Sequence, residues 1–254
     1  MSNPLKSTAV VVAHPDDEIL WLSGVVSSTD RIVFCFGDQF ERPKSSAARR
    51  QVVQALPLPG LVDLKLPESG AGFSADLANP KLTPCGIDIT DAAGRLRYEA
   101  NYTALVGALR ERLAGYRDVY THNPWGEYGH AEHIQVYRAV AALQAELGYT
   151  IWFSNYVSPV SLPLARQIGN QPCWTQRREM ASDRALAYRL KRIYQRHGAW
   201  TWSRFHRWPA TETLYAQPLA DSAETRHLLA QEWLLDTAKL RWWRPWRAAL
   251  RRLD

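Results

Sequence analysis

The sequence predicts an α/β fold: a Rossmann-like, mostly parallel sheet with helices on both faces, followed by a helical C-terminal extension. Short apolar runs rich in valine and isoleucine alternate with longer segments of helical periodicity. The runs are continuous rather than alternating, as expected for parallel strands buried on both faces. With 254 residues, 46% hydrophobic and 22% charged, the chain is globular, which excludes a disordered or collagen-like protein.

The elements follow one another in βα order. Strands are predicted at Thr8–Ala13, Arg31–Phe36, Val62–Leu66, Asp118–Thr121 and Tyr149–Phe153. Helices are predicted at Asp17–Val26, Ser45–Leu56, Tyr98–Leu113 and Ala131–Leu147. Pro57 ends the second helix and Pro67 ends the third strand, because proline lacks the N–H that either element needs.

Two regions depart from this alternation. The stretch from Glu68 to about Arg97 is rich in glycine and proline, and a connection of this length is usually functional or mobile. Residues 159–254 are rich in Trp and Arg and are predicted to be helical, at Arg178–Arg196 and from Ser222 to the end. Because the sequence contains no repeat or low-complexity linker, we predict one domain over residues 1–254 with residues 159–254 as its extension.

A cluster of potential metal ligands follows the first predicted strand. His14, Asp16, Asp17 and Glu18 surround Pro15, which holds the turn rigid. Ligands of open α/β sheets bind at the carboxyl ends of the strands, and imidazole nitrogens and carboxylate oxygens are ordinary zinc ligands. The acids have a second interpretation, since Asp16 or Asp17 would also cap the following helix.

A second cluster follows the fourth predicted strand and contains Tyr128, His130 and His133. The two histidines are three residues apart, so they share one face of a first helical turn. The alternative is a solvated pair beside a surface acid, Glu132. Both clusters lie at the same edge of the predicted sheet and together supply His, Asp, His and a spare acid. Such a set leaves a fourth position for water, which is typical of a hydrolytic zinc site.

These residues resemble the PIG-L/LmbE family of zinc-dependent de-N-acetylases. Residues 13–18 match the family hallmark A-H-P-D-D-E literally, and residues 128–133 fit the second hallmark, G-H-x-[DE]-H preceded by Tyr. The resemblance covers roughly residues 1–155. It implies one Zn²⁺ or another divalent metal per chain, and hydrolysis of an N-acetyl group from an N-acetylglucosamine-type conjugate. A cell-envelope or lipid-linked glycan is one such substrate.

The resemblance also implies roles for individual residues. Spacing alone does not decide between the adjacent Asp16 and Asp17, whereas the family pattern makes Asp17 a metal ligand and Asp16 the general base. The implied metal ligands are His14, Asp17 and His133. The other implied roles are a protonated His130 that stabilises the oxyanion, Tyr128 near the substrate carbonyl, and Arg49 in contact with substrate. His122 either orients a ligand, as Glu18 would, or is an ordinary buried histidine at a strand end.

Two other functions fit the sequence. One is a zinc amidase that acts on a different amide, such as a thiol conjugate. The other is a non-catalytic basic module that binds a membrane or nucleic acid, in keeping with the net charge of +6. The intact His/Asp/His set argues against the module, and we expect no nucleic-acid partner.

The composition at the end of the chain allows a peripheral contact with a membrane. Residues 237–254 interleave arginines with Trp242, Trp243 and Trp246, a combination that suits the surface of an anionic membrane. The alternative, which we favour, is a helix that packs these tryptophans on the domain, because Pro245 interrupts any continuous helix and so weakens the membrane interpretation. The sequence shows no signal peptide and no apolar run of about 20 residues, so we expect a cytoplasmic protein, peripheral to the inner face of the membrane if the tail binds there. The sequence indicates no oligomeric state.

Overall fold

The computed structural model describes residues 6–39, 42–169 and 176–217. Its strands are β1 Lys6–Val12, β2 Arg31–Asp38, β3 Leu61–Pro67, β4 Leu82–Thr83, β5 Gly86–Ile87, β6 Tyr116–Thr121, β7 Thr150–Ser154, β8 Gln176–Ala181 and β9 Thr211–Gln217. Its helices are α1 Asp17–Trp21, α2 Ser23–Val26, α3 Pro43–Ala55, α4 Ala92–Leu113, α5 Gly126–Gly129, α6 Ala131–Leu147, α7 Leu162–Gly169 and α8 Arg184–Arg196.

The central sheet has the strand order β3-β2-β1-β6-β7-β9-β8. The strands from β3 to β7 pair in parallel, whereas β9 pairs antiparallel with both β7 and β8. The predicted mostly parallel sheet is therefore confirmed. The five predicted strands all lie in it, within a few residues of the predicted bounds.

Helices cover both faces of the sheet, as predicted. Along β1, Val11 belongs to one buried cluster while Val10 and Val12 belong to the other, because successive side chains of a strand point to opposite faces. Helices α4 and α6 pack on the first face, and α1, α2 and α8 pack on the second. This double burial explains why the apolar run of β1 is continuous rather than alternating.

The strand order reverses between β1 and β6. Strand β1 pairs with β2 on one side and with β6 on the other, and Val11 lies opposite Thr121 in the second pair. The two strands therefore end level with each other. A crevice at such a reversal point is where open α/β sheets bind their ligands.

The C-terminal extension contains more than the predicted helices. Residues 176–181 form β8, and the helix predicted from Arg178 begins only at Arg184. It begins there because the carboxylate of Asp183 accepts a hydrogen bond from Leu186 N at 2.9 Å, which caps the helix, while β8 pairs along its length with β9. The extension thus completes the sheet. This agrees with a single domain over residues 1–254, which stays a prediction.

Three further differences separate prediction and structure. The first predicted helix is divided at Leu22 into α1 and α2. Helix α4 begins six residues earlier than predicted, at Ala92, where Asp91 caps it. The connection after β3 is ordered by the β4–β5 hairpin.

Some predictions fall on residues that the structure does not describe. The helix predicted from Ser222 and the membrane contact that the sequence allows at residues 237–254 both lie outside the described residues. Within the described ranges, every helix is either too short or too polar to cross a bilayer.

Candidate metal centre and active site

The ends of β1 and β6 are joined directly by a histidine. The backbone N–H of Ala13 donates to His122 Nε2 at 2.8 Å, and the other ring nitrogen, Nδ1, lies 3.0 Å from a carboxylate oxygen of Glu127. The ring is fully buried. Both nitrogens of His122 are thus occupied by the protein, which supports the interpretation of a buried histidine at a strand end.

Polar groups from both sequence clusters lie around one carboxylate oxygen, Asp17 Oδ2. Asp17 Oδ2 accepts a hydrogen bond from the backbone N–H of His14 at 2.8 Å. The same oxygen lies 3.2 Å from His14 Nδ1 and 3.3 Å from His133 Nε2. Residues 116 positions apart in the chain are thereby brought to one point, as expected from the carboxyl ends of neighbouring parallel strands. The structure places the predicted trio of His14, Asp17 and His133 together.

A second carboxylate holds the far side of each imidazole. Glu132 Oε2 lies 3.1 Å from His14 Nε2, and Glu127 Oε2 lies 2.7 Å from His133 Nδ1. Metal-binding histidines are commonly held in this way, because a carboxylate on one nitrogen fixes the ring and makes the other nitrogen a better donor. Glu132 is 1% exposed, so the alternative of a solvated surface acid is wrong.

Glu127 is the site residue that sequence reasoning missed most clearly. Its backbone lies in the left-handed region, with φ of 54°, and its side chain is fully buried. Asn123 supports it twice: the side chain accepts from Glu127 N at 2.8 Å, and the backbone N–H donates to Glu127 Oε1 at 3.0 Å. A strained conformation of this kind persists only where its surroundings over-determine it. The glycines on either side of Glu127 and Tyr128 were the only local signal.

The buried carboxylates create a site that attracts positive charge. Burial alone would lower the pKa of His133, but Asp17 and Glu127 outweigh it and raise that pKa to about 10. Burial is likewise outweighed at His14, whose pKa rises to about 9 beside Asp17 and Glu132. The imidazoles in turn hold the pKa of Asp17 well below its ordinary value, against the effect of burial. These shifts show that Asp17, Glu127 and Glu132 create a negative potential at the two rings, which favours positive charge there.

The donor set fits a divalent metal. His133 Nε2 is buried and has no hydrogen-bond partner among the described residues, and it points at Asp17 Oδ2. One nitrogen from each of His14, His130 and His133 lies within 4.8 Å of the others. The same holds for a carboxylate oxygen of Asp17 and one nitrogen each of His122 and His133. Two nitrogens and one carboxylate oxygen are the ligand types that Zn²⁺ takes in catalytic sites.

Asp16 has a different environment from its neighbour. Its Oδ2 accepts two hydrogen bonds from Thr201, from the backbone N–H at 3.0 Å and from the hydroxyl at 2.7 Å. Its backbone φ is 100°, and its N–H donates to Glu18 Oε2 at 3.0 Å. Glu18 is held by the hydroxyl of Tyr194, at 2.7 Å. Both Thr201 and Tyr194 belong to the C-terminal extension, which therefore helps to build the site.

The chemistry of Asp16 follows from this environment. Burial and the negative charge of Asp17 raise the pKa of Asp16 to about 7, although the hydrogen bonds from Thr201 act in the opposite direction. A carboxyl group whose pKa is near neutral can both accept and return a proton at physiological pH. The carboxyl group of Asp17, whose pKa is lowered, stays ionised instead. Asp16 is therefore suited to proton transfer and Asp17 to binding a metal.

His130 lies beside the two proposed ligand histidines. Its ring centroid is 5.0 Å from that of His14 and 4.7 Å from that of His133. Burial, followed by the charges of these two rings, lowers the pKa of His130 well below its ordinary value. The protonated form predicted for His130 is therefore disfavoured, and a neutral ring has one N–H to donate. Its Nδ1 is buried and has no partner within the described ranges.

Tyr128 and Arg49 occupy different positions around this centre. The ring of Tyr128 lies 5.3 Å from that of His133 and 5.8 Å from that of His130. Arg49 is only 4% exposed and forms an ion pair with Glu68, whose Oε1 lies 3.3 Å from His14 Nε2. The structure thus assigns Arg49 a buried ionic contact behind His14. Its contact with substrate stays a prediction.

Comparison with known proteins adds one curated relative. The chain is 30% identical over 187 residues to 1D-myo-inositol 2-acetamido-2-deoxy-alpha-D-glucopyranoside deacetylase of Mycolicibacterium smegmatis (strain ATCC 700084 / mc(2)155). The matched segment is 64% of this chain and 63% of the relative, so the chain spans less than two thirds of the relative's length. No family model matches the sequence.

Solved structures share the fold. A deacetylase in complex with teicoplanin, from the teicoplanin biosynthesis pathway, superposes with a TM-score of 0.54 at 9% identity, over 85% of this chain and 99% of that one. The zinc-inhibited form of teicoplanin deacetylase Orf2 superposes with a TM-score of 0.51 at 11% identity, over 85% of this chain and 100% of that one. At such identities the likeness concerns the fold alone. The two motifs and the relative from M. smegmatis agree with the resemblance to the PIG-L/LmbE family.

Proposed function

We propose that this protein is a zinc-dependent hydrolase that removes the N-acetyl group from an N-acetylglucosamine-type sugar conjugate. The observation that carries the proposal is the convergence of His14 Nδ1 and His133 Nε2 on Asp17 Oδ2, with Asp16 beside them. The relative from M. smegmatis supports the substrate class, because its name describes a deacetylase of an acetamido sugar.

The metal would be held by His14, Asp17 and His133. When bound, it supplies Lewis acidity, which makes water nucleophilic near neutral pH and polarises a carbonyl oxygen. Glu132 and Glu127 would keep the two rings aimed at it from behind.

Asp16 would accept the proton of the attacking water as its oxygen bonds to the amide carbon. A neutral His130 would donate a hydrogen bond to the oxygen of that carbon, which gains negative charge, and Tyr128, whose ring lies 5.8 Å from that of His130, would assist. Asp16 would then return the proton to the nitrogen as the C–N bond breaks. The products are acetate and a free amino sugar.

Acetate release from a panel of N-acetylglucosamine conjugates tests this proposal. We expect release that disappears after treatment with a chelator and returns when Zn²⁺ is added, because two imidazole nitrogens converge on one carboxylate oxygen of Asp17. The measurement is enzymatic quantification of acetate with matched untreated protein. Release that is equal with and without chelator, or no release from any conjugate, would contradict it.

Glu127 offers a test that the structure alone suggests. Glu127→Gln removes the charge that faces His133 Nδ1 and His122 Nδ1 but keeps the shape of the side chain. We expect Zn²⁺ affinity to fall about 10- to 100-fold, the usual effect of losing such a supporting carboxylate. Competition with a fluorescent zinc chelator measures this. Glu146→Gln is the matched control, because Glu146 forms an exposed ion pair with Arg110, and an equal loss of affinity in both variants would refute the role of Glu127.

A further inference from the structure

The loop after β3 carries an exposed aromatic side chain at the proposed active site. Phe73 is 53% exposed, yet its ring lies 5.2 Å from that of His130, at an angle of 80°. A single exposed apolar side chain is ordinary on a protein surface, so the informative feature of Phe73 is its position against a histidine of the proposed active site. The core does not account for Phe73, and the proposed reaction does not use it.

The backbone around Phe73 is firmly held. Gly72 O accepts from Ala131 N at 3.0 Å, and Ala71 O accepts from Ser74 N at 2.8 Å. Ser74 O accepts from Thr90 N at 3.0 Å. The glycine at 72 allows the close approach, since a Cβ there would lie 3.3 Å from His130 Nε2. Phe73 is therefore presented by an ordered turn, even though its side chain is solvated.

Phe73 is the outer member of a continuous aromatic surface. Its ring lies 5.9 Å from that of Tyr128, and the ring of Tyr128 lies 5.2 Å from that of Trp202. We call Phe73, Tyr128 and Trp202 the aromatic surface. They come from three separate segments of the chain. The rings of Phe73 and Tyr128 lie beside His130, while Thr201, next to Trp202, contacts Asp16. The polar reacting groups thus lie along one side of an apolar surface.

We propose that Phe73 is a specificity-determining residue whose ring stacks on the apolar face of the sugar that bears the acetamide. This inference rests on the proposed function. An acetamide placed between Asp16 and His130 has its sugar carbon one bond from the reacting nitrogen, so the sugar ring lies within reach of the aromatic surface. A pyranose has faces of C–H groups, which pack on aromatic rings, and binding sites of this kind combine aromatic side chains with a few polar groups.

The test compares Phe73→Ala with Phe73→Trp and uses Phe205→Ala as the matched control, because Phe205 is 73% exposed and belongs to the C-terminal extension. We expect Phe73→Ala to raise the KM for an N-acetylglucosamine conjugate roughly 3- to 10-fold with kcat nearly unchanged, in line with one aromatic contact. Phe73→Trp should restore KM, and Phe205→Ala should leave it unchanged.

A second measurement separates this inference from the proposed function. The affinity of the protein for glucosamine, measured by titration calorimetry, should fall by a similar factor in Phe73→Ala. Loss of glucosamine binding in this variant would support the inference even if the wild-type protein released no acetate. A normal KM and normal glucosamine affinity in Phe73→Ala would overturn it. A lower kcat with unchanged KM would also overturn it, because that result would mean that Phe73 only positions His130 and does not bind the sugar.

Discussion

Replacing Asp16 by Asn is expected to lower the turnover of an N-acetylated sugar by a factor of about 10²–10⁴ while the zinc content stays unchanged. The Asn side chain keeps an oxygen that can accept both hydrogen bonds from Thr201, so the turn is preserved. It cannot accept a proton from water, which is the role that the geometry gives to Asp16. Acetate release at saturating substrate and elemental analysis of the same preparations measure the two quantities.

The control for this substitution is Asp118→Asn. Asp118 lies earlier on β6, forms an ion pair with the exposed Arg117 and accepts a hydrogen bond from Trp152 Nε1 at 2.8 Å. Asn keeps an oxygen for that hydrogen bond, so the substitution should change little. Undiminished turnover in Asp16→Asn would dismiss Asp16 as the base. Loss of zinc in that variant would show that the metal is held by Asp16, and it would reverse the assignment of the two adjacent acids.

The parts of the site that the sequence predicted are those whose positions follow from the sheet. His14 and His133 meet because β1 and β6 are parallel neighbours, and a motif after each strand is delivered to the same edge. The strands themselves were recognisable because burial on both faces requires continuous apolar runs. The family resemblance then distinguished Asp17 from Asp16, which the residues alone left open.

The missed parts depend on contacts that no local pattern encodes. Thr201 reaches Asp16 across 185 positions, from an extension that was predicted as helical and that also forms two strands. Glu127 occupies a left-handed turn, where hydrophobic periodicity carries no information about the direction of the side chain. The buried contact of Arg49 with Glu68 likewise depends on how the loop after β3 folds back over His14.

Replacing His133 by Ala should remove the metal, whereas replacing His122 by Asn should not. The two rings stack 3.9 Å apart and both face Glu127, so distance alone does not separate them. Their nitrogens do: His122 Nε2 accepts a hydrogen bond from Ala13 N, while His133 Nε2 has no hydrogen-bond partner among the described residues and faces Asp17 Oδ2 at 3.3 Å. We expect His133→Ala to hold almost no zinc, against about one ion per chain in the wild type, and to lose more than about 10³-fold in activity.

His122→Asn should instead change stability. Its substitution weakens the junction between Ala13 and Glu127, and disturbing one buried hydrogen bond of this kind costs about 1–3 kcal/mol. Thermal unfolding and elemental analysis of the folded fraction separate this effect from metal loss. His197→Ala is the control, since His197 lies partly exposed at the end of α8.

The comparison between these two variants decides which histidines form the centre. Zinc retained in His133→Ala, or lost from folded His122→Asn, would make His122 a ligand in place of His133, since His122 Nε2 lies 3.6 Å from the same oxygen of Asp17. That outcome would require Ala13 N to give up its partner at the end of β1, which leaves a buried backbone donor unpaired. Ala13 directly precedes His14, so the loss of this hydrogen bond would destabilise the backbone that positions His14. The geometry therefore favours His133.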